Sequence, residues 1–197
     1  IFGFNEFRPG QSEIIDAVVD KKNVLAIMPT GGGKSLCFQL PALMGEGLTV
    51  VISPLIALMR DQVRGLQAAG VAAEAITSAN TEEETDKIFS ALNASKLRIL
   101  YLAPERLAST AMQSALHRYN VVSLIVDEAH CVSQWGHDFR PDYLRIGELR
   151  RSLGVPLAAF TATADEETRQ EIIDRLFDGV APSSFLHGFD RPNIHFS

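Results

Sequence analysis

The chain has 197 residues, of which 46% are hydrophobic and 21% charged, and its formal net charge is −6. This composition is typical of a globular protein, and no apolar run reaches the roughly 18 residues of a membrane-spanning helix. The acidic balance excludes a surface coated with lysine and arginine, and two cysteines provide no disulfide framework. We therefore expect an intracellular protein with two reduced, buried cysteines and no membrane segment. The chain opens at Ile1 without a basic leader, which predicts no secretion signal, and the lack of Met there favours residues upstream.

Apolar runs alternate with amphipathic stretches along the chain. The predicted helices, in chain order, are 11–19, 36–44, 55–69, 81–92 and 165–177. The predicted strands are 24–28, 48–52, 73–76, 97–102, 121–126, 157–161 and 184–186. Most of these strands are almost continuously apolar, as expected for strands covered on both faces. The pattern predicts an α/β fold with a doubly wound, mostly parallel sheet and helices on both faces.

A glycine-rich segment joins the first predicted strand to the next helix. It begins at Met28, ends with Lys34 and Ser35, and includes Pro29, Thr30, Gly31, Gly32 and Gly33. Glycines let backbone N–H groups converge on an anion, and the following helix directs its positive dipole end there. In such a loop Lys34 reaches the β- and γ-phosphates and Ser35 ligates Mg²⁺. Because the first position is Met28 rather than glycine, a tight strand–helix turn with a solvated lysine is the alternative.

Two adjacent carboxylates, Asp127 and Glu128, follow the apolar strand predicted at 121–126. Asp127 can bind the hydration shell of Mg²⁺, and Glu128 can polarise the water that attacks the γ-phosphorus. The alternative is that both residues merely cap the next turn. Since the glycine loop belongs to the same predicted sheet, the combination favours an ATP site with Mg²⁺ in which Lys34, Asp127 and Glu128 are catalytic.

Further segments carry a resemblance to a known family. They are Phe7-Arg-Pro-Gly-Gln11, Ser53-Pro-Leu-Ile-Ala-Leu-Met59, Ala103-Pro-Glu-Arg-Leu107, Ser133-Gln-Trp-Gly-His-Asp-Phe-Arg-Pro141 and Thr161-Ala-Thr163. With the glycine loop and Asp127-Glu-Ala-His130, they resemble the RecQ family of superfamily 2 DExH DNA helicases over residues 4–193. The resemblance implies a RecA-like first motor domain of bacterial origin. Met28 at the start of the glycine loop is shared by this superfamily.

The resemblance implies an adenine-recognition segment at residues 1–22. The amide of Gln11 complements the donor and acceptor of adenine, Arg8 lies beside it, and Phe4 stacks on the base. Without the resemblance, exposed Arg8 and Gln11 with Phe4 in the core would be favoured.

The segment with the only tryptophan predicts a contact with nucleic acid. Trp135, His137, Phe139 and Arg140 can stack on bases and pair with phosphate, and the resemblance adds Gln134 to a loop that senses single-stranded DNA. From composition alone, a hydrophobic cluster beneath the loop is equally supported. The resemblance also implies coupling to hydrolysis through His130, Thr161 and Thr163, and DNA-backbone contacts at residues 53–55 and 103–106.

We therefore expect residues 1–197 to be one ATP-binding motor domain, with residues 188–197 leading toward a second motor domain that supplies the completing arginine. The implied protein is an ATP-dependent DNA helicase of repair and recombination, acting on single-stranded DNA and duplex junctions. It would be cytoplasmic and associated with the nucleoid, and this piece alone would hydrolyse ATP weakly. The alternatives are a nucleotide- or DNA-binding fragment without turnover, and another superfamily 2 translocase, acting on RNA or in remodelling.

Overall fold

The computed structural model describes residue 3 and residues 6–187. The strands are β1 (Val24–Ile27), β2 (Leu48–Ile52), β3 (Ala73–Ile76), β4 (Ile99–Leu102), β5 (Val121–Val126), β6 (Leu157–Thr161) and β7 (Ser183–Leu186). The α-helices are α1 (Gln11–Val19), α2 (Lys34–Met44), α3 (Ile56–Ala68), α4 (Glu82–Asn93), α5 (Thr110–Arg118), α6 (Leu144–Leu153) and α7 (Glu166–Phe177). Short 3-10 turns lie at Pro104–Ala108, Ala129–Val132 and Pro141–Tyr143.

Across these described residues, seven strands form one sheet in the order β3-β4-β2-β5-β6-β1-β7, and every pairing is parallel. Strands β1, β2, β4 and β6 are buried along their whole length, as their apolar sequences require, and β5 is half-buried only at Val122 and Ser123. The edge strand β7 alternates between half-buried and exposed. The predicted doubly wound α/β fold is confirmed, and its sheet is entirely parallel in the part described.

Helices cover both faces of the sheet. One hydrophobic cluster joins one face to α1, α2 and α3, and the other joins the opposite face to α4, α5, α6 and α7. Cys37 belongs to the first cluster and Cys131 to the second, and both are free and buried, as predicted. Burial raises the pKa of Cys37 to about 12 and that of Cys131 to about 11, so both thiols stay protonated at neutral pH. Among the described helices, none has the length and apolar character needed to cross a membrane.

The order of the central strands places the predicted motifs together. Because all strands are parallel, the turns after β1, β2, β5 and β6 leave from the same edge of the sheet. Two backbone hydrogen bonds continue the sheet beyond the strands, from Met28 N to Thr161 O at 3.0 Å and from Asp127 N to Ile52 O at 2.8 Å. The glycine loop, the two carboxylates and the threonine motif therefore start from neighbouring positions.

Candidate functional site

The glycine loop has a backbone that only glycine adopts without strain. Gly31 and Gly33 have φ values of 78° and 81°, in the left-handed region. A Cβ atom on Gly33 would lie 2.2 Å from Gln11 Nε2, and one on Gly32 would lie 2.8 Å from Pro29 O. The loop thus forms a close-packed turn that leads directly into the N-terminus of α2, a geometry that fits a phosphate chain.

The first two residues of α2 carry the side chains predicted to meet phosphate and metal. Lys34 Nζ lies 3.5 Å from Met28 O, a long contact that leaves the ammonium free to turn toward an anion. Ser35 Oγ accepts a hydrogen bond from Gln62 Nε2 of α3 at 3.1 Å. Gln62, which the sequence did not indicate, therefore orients the Ser35 hydroxyl.

A metal at this site would need ligands from outside the protein as well. In the described part of the chain, no group of three His, Cys, Asp or Glu side chains could hold a metal alone. The hydroxyl of Ser35 and the carboxylate of Asp127 are hard oxygen ligands of the kind Mg²⁺ uses with phosphate oxygens and water. The donor set fits Mg²⁺ bound together with a nucleotide.

Two residues of the predicted adenine segment contact the glycine loop. Arg8 N–H donates to Gln11 Oε1 at 2.7 Å, and Gln11 Nε2 donates to Gly33 O at 3.2 Å. The Arg8 guanidinium donates to Gly31 O. Gln11 is only 3% exposed, which excludes the reading of it as a solvated helix residue. Arg8 is exposed, and Phe4 lies outside the described residues.

Asp127 is a buried carboxylate at the end of β5. Its side chain accepts hydrogen bonds from Ser53 Oγ at 3.2 Å and from Glu128 N–H at 3.0 Å. Burial, followed by the nearby charge of Glu128, raises the pKa of Asp127, although these hydrogen bonds and Lys34 partly oppose the shift. The sequence does not indicate this role of Ser53, although a polar residue directly after β2, the neighbour of β5, is a signal for it.

Replacing Asp127 by asparagine is expected to stabilise the fold at neutral pH. A carboxyl whose pKa is raised in the folded state contributes stability below its unfolded pKa, and that contribution is lost as pH rises through the folded value. The neutral amide avoids this loss, and we expect a gain of about 0.5–2 kcal/mol, the size common for a single stabilising substitution. Urea unfolding at pH 7 without nucleotide measures the gain. A less stable Asp127→Asn variant would contradict it.

Glu128 has a strained backbone. Its φ and ψ are 51° and 47°, a left-handed conformation that costs a non-glycine residue about 1–2 kcal/mol. Its side chain is 21% exposed, and Oε2 lies 3.4 Å from His130 Nδ1. The carboxylate is therefore directed by an unusual turn and reaches both solvent and the imidazole.

His130 and the threonine motif form a hydrogen-bonded link. Thr161 Oγ1 donates to Thr163 O at 3.0 Å and lies 2.8 Å from His130 Nδ1, within hydrogen-bond distance. The other ring nitrogen of His130, Nε2, lies 3.6 Å from Asp138 Oδ2. The threonine motif therefore contacts the turn after β5 through His130.

The aromatic loop, residues 133–140, projects from the same edge. Trp135 is 83% exposed, which excludes the hydrophobic cluster that composition alone allowed. Gln134, His137 and Arg140 are exposed as well, and Phe139 is half-buried. The loop is closed at its base, where Arg140 N–H donates to Cys131 O at 2.9 Å, while the buried Ser133 donates to Glu171 of α7. An exposed aromatic surface on a fixed base can stack on bases.

In the two turns expected to contact a DNA backbone, Ser53 and Arg106 form hydrogen bonds within the protein. Ser53 points inward to Asp127 rather than outward. Arg106 donates to Thr77 O through Nη2 at 2.5 Å and through Nε at 3.2 Å, which ties the turn after β4 to the end of β3. DNA contacts at residues 53–55 and 103–106 remain predictions.

Comparison with known proteins gives consistent matches. The profile of the DEAD/DEAH box helicase family matches residues 8–172. The ATP-dependent DNA helicase RecQ of Pasteurella multocida is 46% identical over 198 residues, covering 100% of this chain and 31% of that protein. The ATP-dependent DNA helicase Q5 of Rattus norvegicus is 45% identical over 205 residues, covering 100% of this chain and 21% of that protein. The chain thus spans about a fifth to a third of these relatives.

Solved structures share the fold. The Hef helicase domain of Pyrococcus furiosus superposes with a TM-score of 0.71 at 20% identity, covering 94% of this chain and 39% of that chain. The DUF1998 helicase MrfA bound to DNA superposes with a TM-score of 0.66 at 18% identity, covering 92% of this chain and 25% of that chain. These likenesses show the RecA-like helicase fold. The RecQ relatives confirm the predicted resemblance. Because the family profile matches residues 8–172, the chain belongs to the DEAD/DEAH box helicase family.

Proposed function

We propose that this chain is the ATP-binding motor domain of a RecQ-like DNA helicase, coupling ATP hydrolysis to translocation on single-stranded DNA and duplex unwinding. One observation carries the proposal: a glycine loop, a buried carboxylate and an exposed aromatic loop share one sheet edge and are joined through His130 and Thr161. The names of the relatives, ATP-dependent DNA helicases, support the same reading.

We assign nucleotide binding to the glycine loop and the predicted adenine segment. Backbone N–H groups of the glycine loop and Lys34 would hold the phosphates. Ser35 and Asp127 would hold Mg²⁺, which supplies charge neutralisation at the phosphates when bound. Gln11 uses one N–H and one lone pair within the protein, so its second N–H and second lone pair remain for adenine. Arg8 and Phe4 would flank the base.

We assign the attacking water to Glu128. Its carboxylate is partly exposed, whereas that of Asp127 is buried, so the two acids are suited to different tasks. A charged, solvent-reaching carboxylate can accept the proton of a water, and a buried one can hold a cation. His130 and Thr161 would relay a change at Glu128 toward Thr163 and the aromatic loop.

We place the activity in DNA repair and recombination, at duplex junctions, in a cytoplasmic protein associated with DNA. A second motor domain would add an arginine that stabilises the transferring phosphoryl group. Such an arginine is worth about 10³–10⁵ in rate. Residues 1–197 alone are therefore expected to hydrolyse ATP far more slowly than the full-length protein.

Replacing Trp135 by alanine is expected to lower stimulation of ATP hydrolysis by single-stranded DNA about 5- to 100-fold in the full-length protein. Stacking of a base on an aromatic side chain contributes about 1–3 kcal/mol, and this indole is free to provide it. Phosphate release with and without DNA measures the ratio. Met44→Ala, which removes a 62% exposed apolar side chain at the end of α2, is the control. Unchanged stimulation in Trp135→Ala would disprove the role of the loop.

Two measurements test the proposed function against the alternatives. Titration of residues 1–197 with a fluorescent ATP analogue, beside a phosphate-release assay, separates an enzyme from a binding fragment. In the full-length protein, comparison of single-stranded DNA with RNA as activator separates a DNA helicase from an RNA translocase. The proposal requires turnover that DNA stimulates more than RNA does, and it fails if RNA is the stronger activator.

A further inference from the structure

The peptide unit between Asp127 and Glu128 is held at both its oxygen and its hydrogen. Its carbonyl accepts a hydrogen bond from Tyr143 Oη at 2.9 Å, and its N–H donates to the carboxylate of Asp127 at 3.0 Å. The carbonyl of Glu128 in turn accepts from Cys131 N–H at 2.9 Å. These bonds fix the orientation of the carboxylate pair, Asp127 and Glu128, and retain the left-handed φ of 51° at Glu128.

Tyr143 stands at the exit of the aromatic loop. It ends the turn Pro141–Tyr143, and its N–H donates to Arg140 O at 3.0 Å. Arg140 N–H donates to Cys131 O at 2.9 Å. Hydrogen bonds therefore form a closed circuit from the carboxylate pair through Cys131 and Arg140 to Tyr143 and back. A shift of the backbone at Arg140 reaches the carboxylate pair from two sides.

The hydroxyl of Tyr143 is more than a packing group. The side chain is 0% exposed, and phenylalanine would fill the same space. Burial raises its pKa far above neutrality, so the hydroxyl stays protonated and remains a donor. Its partner is a backbone carbonyl beside the proposed water-activating residue, 16 positions away in the chain.

We propose that Tyr143 is a positioning residue that transmits movement of the aromatic loop to the carboxylate pair. This inference rests on the proposed function, in which DNA binds the loop. When a base stacks on Trp135 or a phosphate pairs with Arg140, the turn at Pro141 moves with the loop. Tyr143 carries that movement to the carbonyl of Asp127 and so changes where Glu128 points.

The test is Tyr143→Phe in the full-length protein, which removes one oxygen atom. We expect kcat for ATP hydrolysis with saturating single-stranded DNA to fall about 3- to 30-fold, the range of coupling through such contacts. The KM for ATP should stay within about twofold, because the hydroxyl does not contact the glycine loop. The kcat without DNA should fall by a smaller factor than the kcat with DNA, so the ratio of the two rates is the readout.

Tyr101→Phe is the matched control. Tyr101 is 1% exposed, and its Oη accepts from Gln39 Nε2 at 2.8 Å, so the substitution also removes a buried hydroxyl and its hydrogen bond. We expect a similar loss of thermal stability and normal DNA stimulation. Equal loss of stimulation in both variants would show a stability effect only, and full stimulation in Tyr143→Phe would overturn the inference.

A second variant keeps the test decisive if Tyr143→Phe folds poorly. Pro141 is exposed, and Pro141→Gly loosens the turn that sets Tyr143 without disturbing the core. It should reduce stimulation in the same direction, and normal stimulation in Pro141→Gly would contradict the inference. If the wild-type protein shows no stimulation by DNA, the proposed function itself fails. Stimulation that both variants retain removes only the role of Tyr143.

Discussion

Replacing Glu128 by glutamine in the full-length protein is expected to lower kcat for ATP hydrolysis about 10²–10⁴-fold, the range attributed to a positioned general base. The amide has nearly the same shape but cannot accept a proton from water. Affinity for ATP should be unchanged, because Glu128 does not contact the glycine loop through any hydrogen bond described here. Phosphate release under steady-state conditions and titration with a fluorescent ATP analogue measure the two quantities.

Glu148→Gln is the matched control for this substitution. Glu148 is an exposed residue of α6, a helix that packs on one face of the sheet rather than at the edge with the glycine loop. The Glu148→Gln substitution changes the net charge by the same amount as Glu128→Gln and should leave kcat within about twofold of the wild-type value. A Glu128→Gln variant that retains more than about a tenth of the wild-type kcat would rule out the assigned role.

Replacing Lys34 by alanine is expected to weaken ATP binding about 10- to 100-fold. A hydrogen bond between charged groups contributes about 1.5–3 kcal/mol, and each 1.4 kcal/mol is a factor of ten in affinity. The fold should tolerate the change, since Lys34 Nζ makes only a 3.5 Å contact with Met28 O. Titration of ATP by calorimetry measures the dissociation constant, and thermal unfolding checks the fold.

Lys22→Ala is the control for Lys34→Ala. Lys22 is an exposed lysine paired with Asp20 at 3.3 Å, just before β1 and so at the opposite edge of the sheet. Its removal should leave the affinity for ATP unchanged. Equal loss of affinity in both variants would mean that general charge, rather than the lysine of the glycine loop, attracts the nucleotide.

The sequence was sufficient for the features that depend on local pattern. Apolar runs, most of them almost continuous, located the seven described strands to within about two residues and indicated the parallel arrangement. Glycine at positions with φ near 80° and the adjacent Lys34 and Ser35 located the loop. Helix α2 begins at Lys34 rather than at residue 36, because Gly33 already occupies the N-cap.

Two helices were not predicted although their signals were present. Ser109 accepts a hydrogen bond from Met112 N and so caps α5, and the buried Met112, Ala115 and Leu116 have helical spacing. Gly154 ends α6 in the left-handed conformation. Both helices are short, with nine and ten residues, so their apolar residues give a weak periodic signal. Those residues are buried against one face of the sheet, a contact that only the fold shows.

Tertiary contacts could not be read from the sequence. An aromatic-rich segment is equally consistent with a buried cluster and an exposed surface, and only the fold shows Trp135 to be 83% exposed. The hydrogen bonds of Ser53 and Gln62 join residues 74 and 27 positions apart, and their residue types are common in turns and helices. Glutamate rarely adopts the left-handed backbone conformation that Glu128 has, so its residue type did not indicate this turn. Such conformations occur at functional sites.

The central claim is that binding of single-stranded DNA at the aromatic loop is coupled to ATP hydrolysis at the nucleotide site. The most direct test is the rate of phosphate release by the full-length protein as single-stranded DNA is added at saturating ATP and Mg²⁺. We expect kcat to rise at least about tenfold, which corresponds to lowering the activation free energy by about 1.4 kcal/mol. A rate that is independent of DNA while ATP still binds would contradict it.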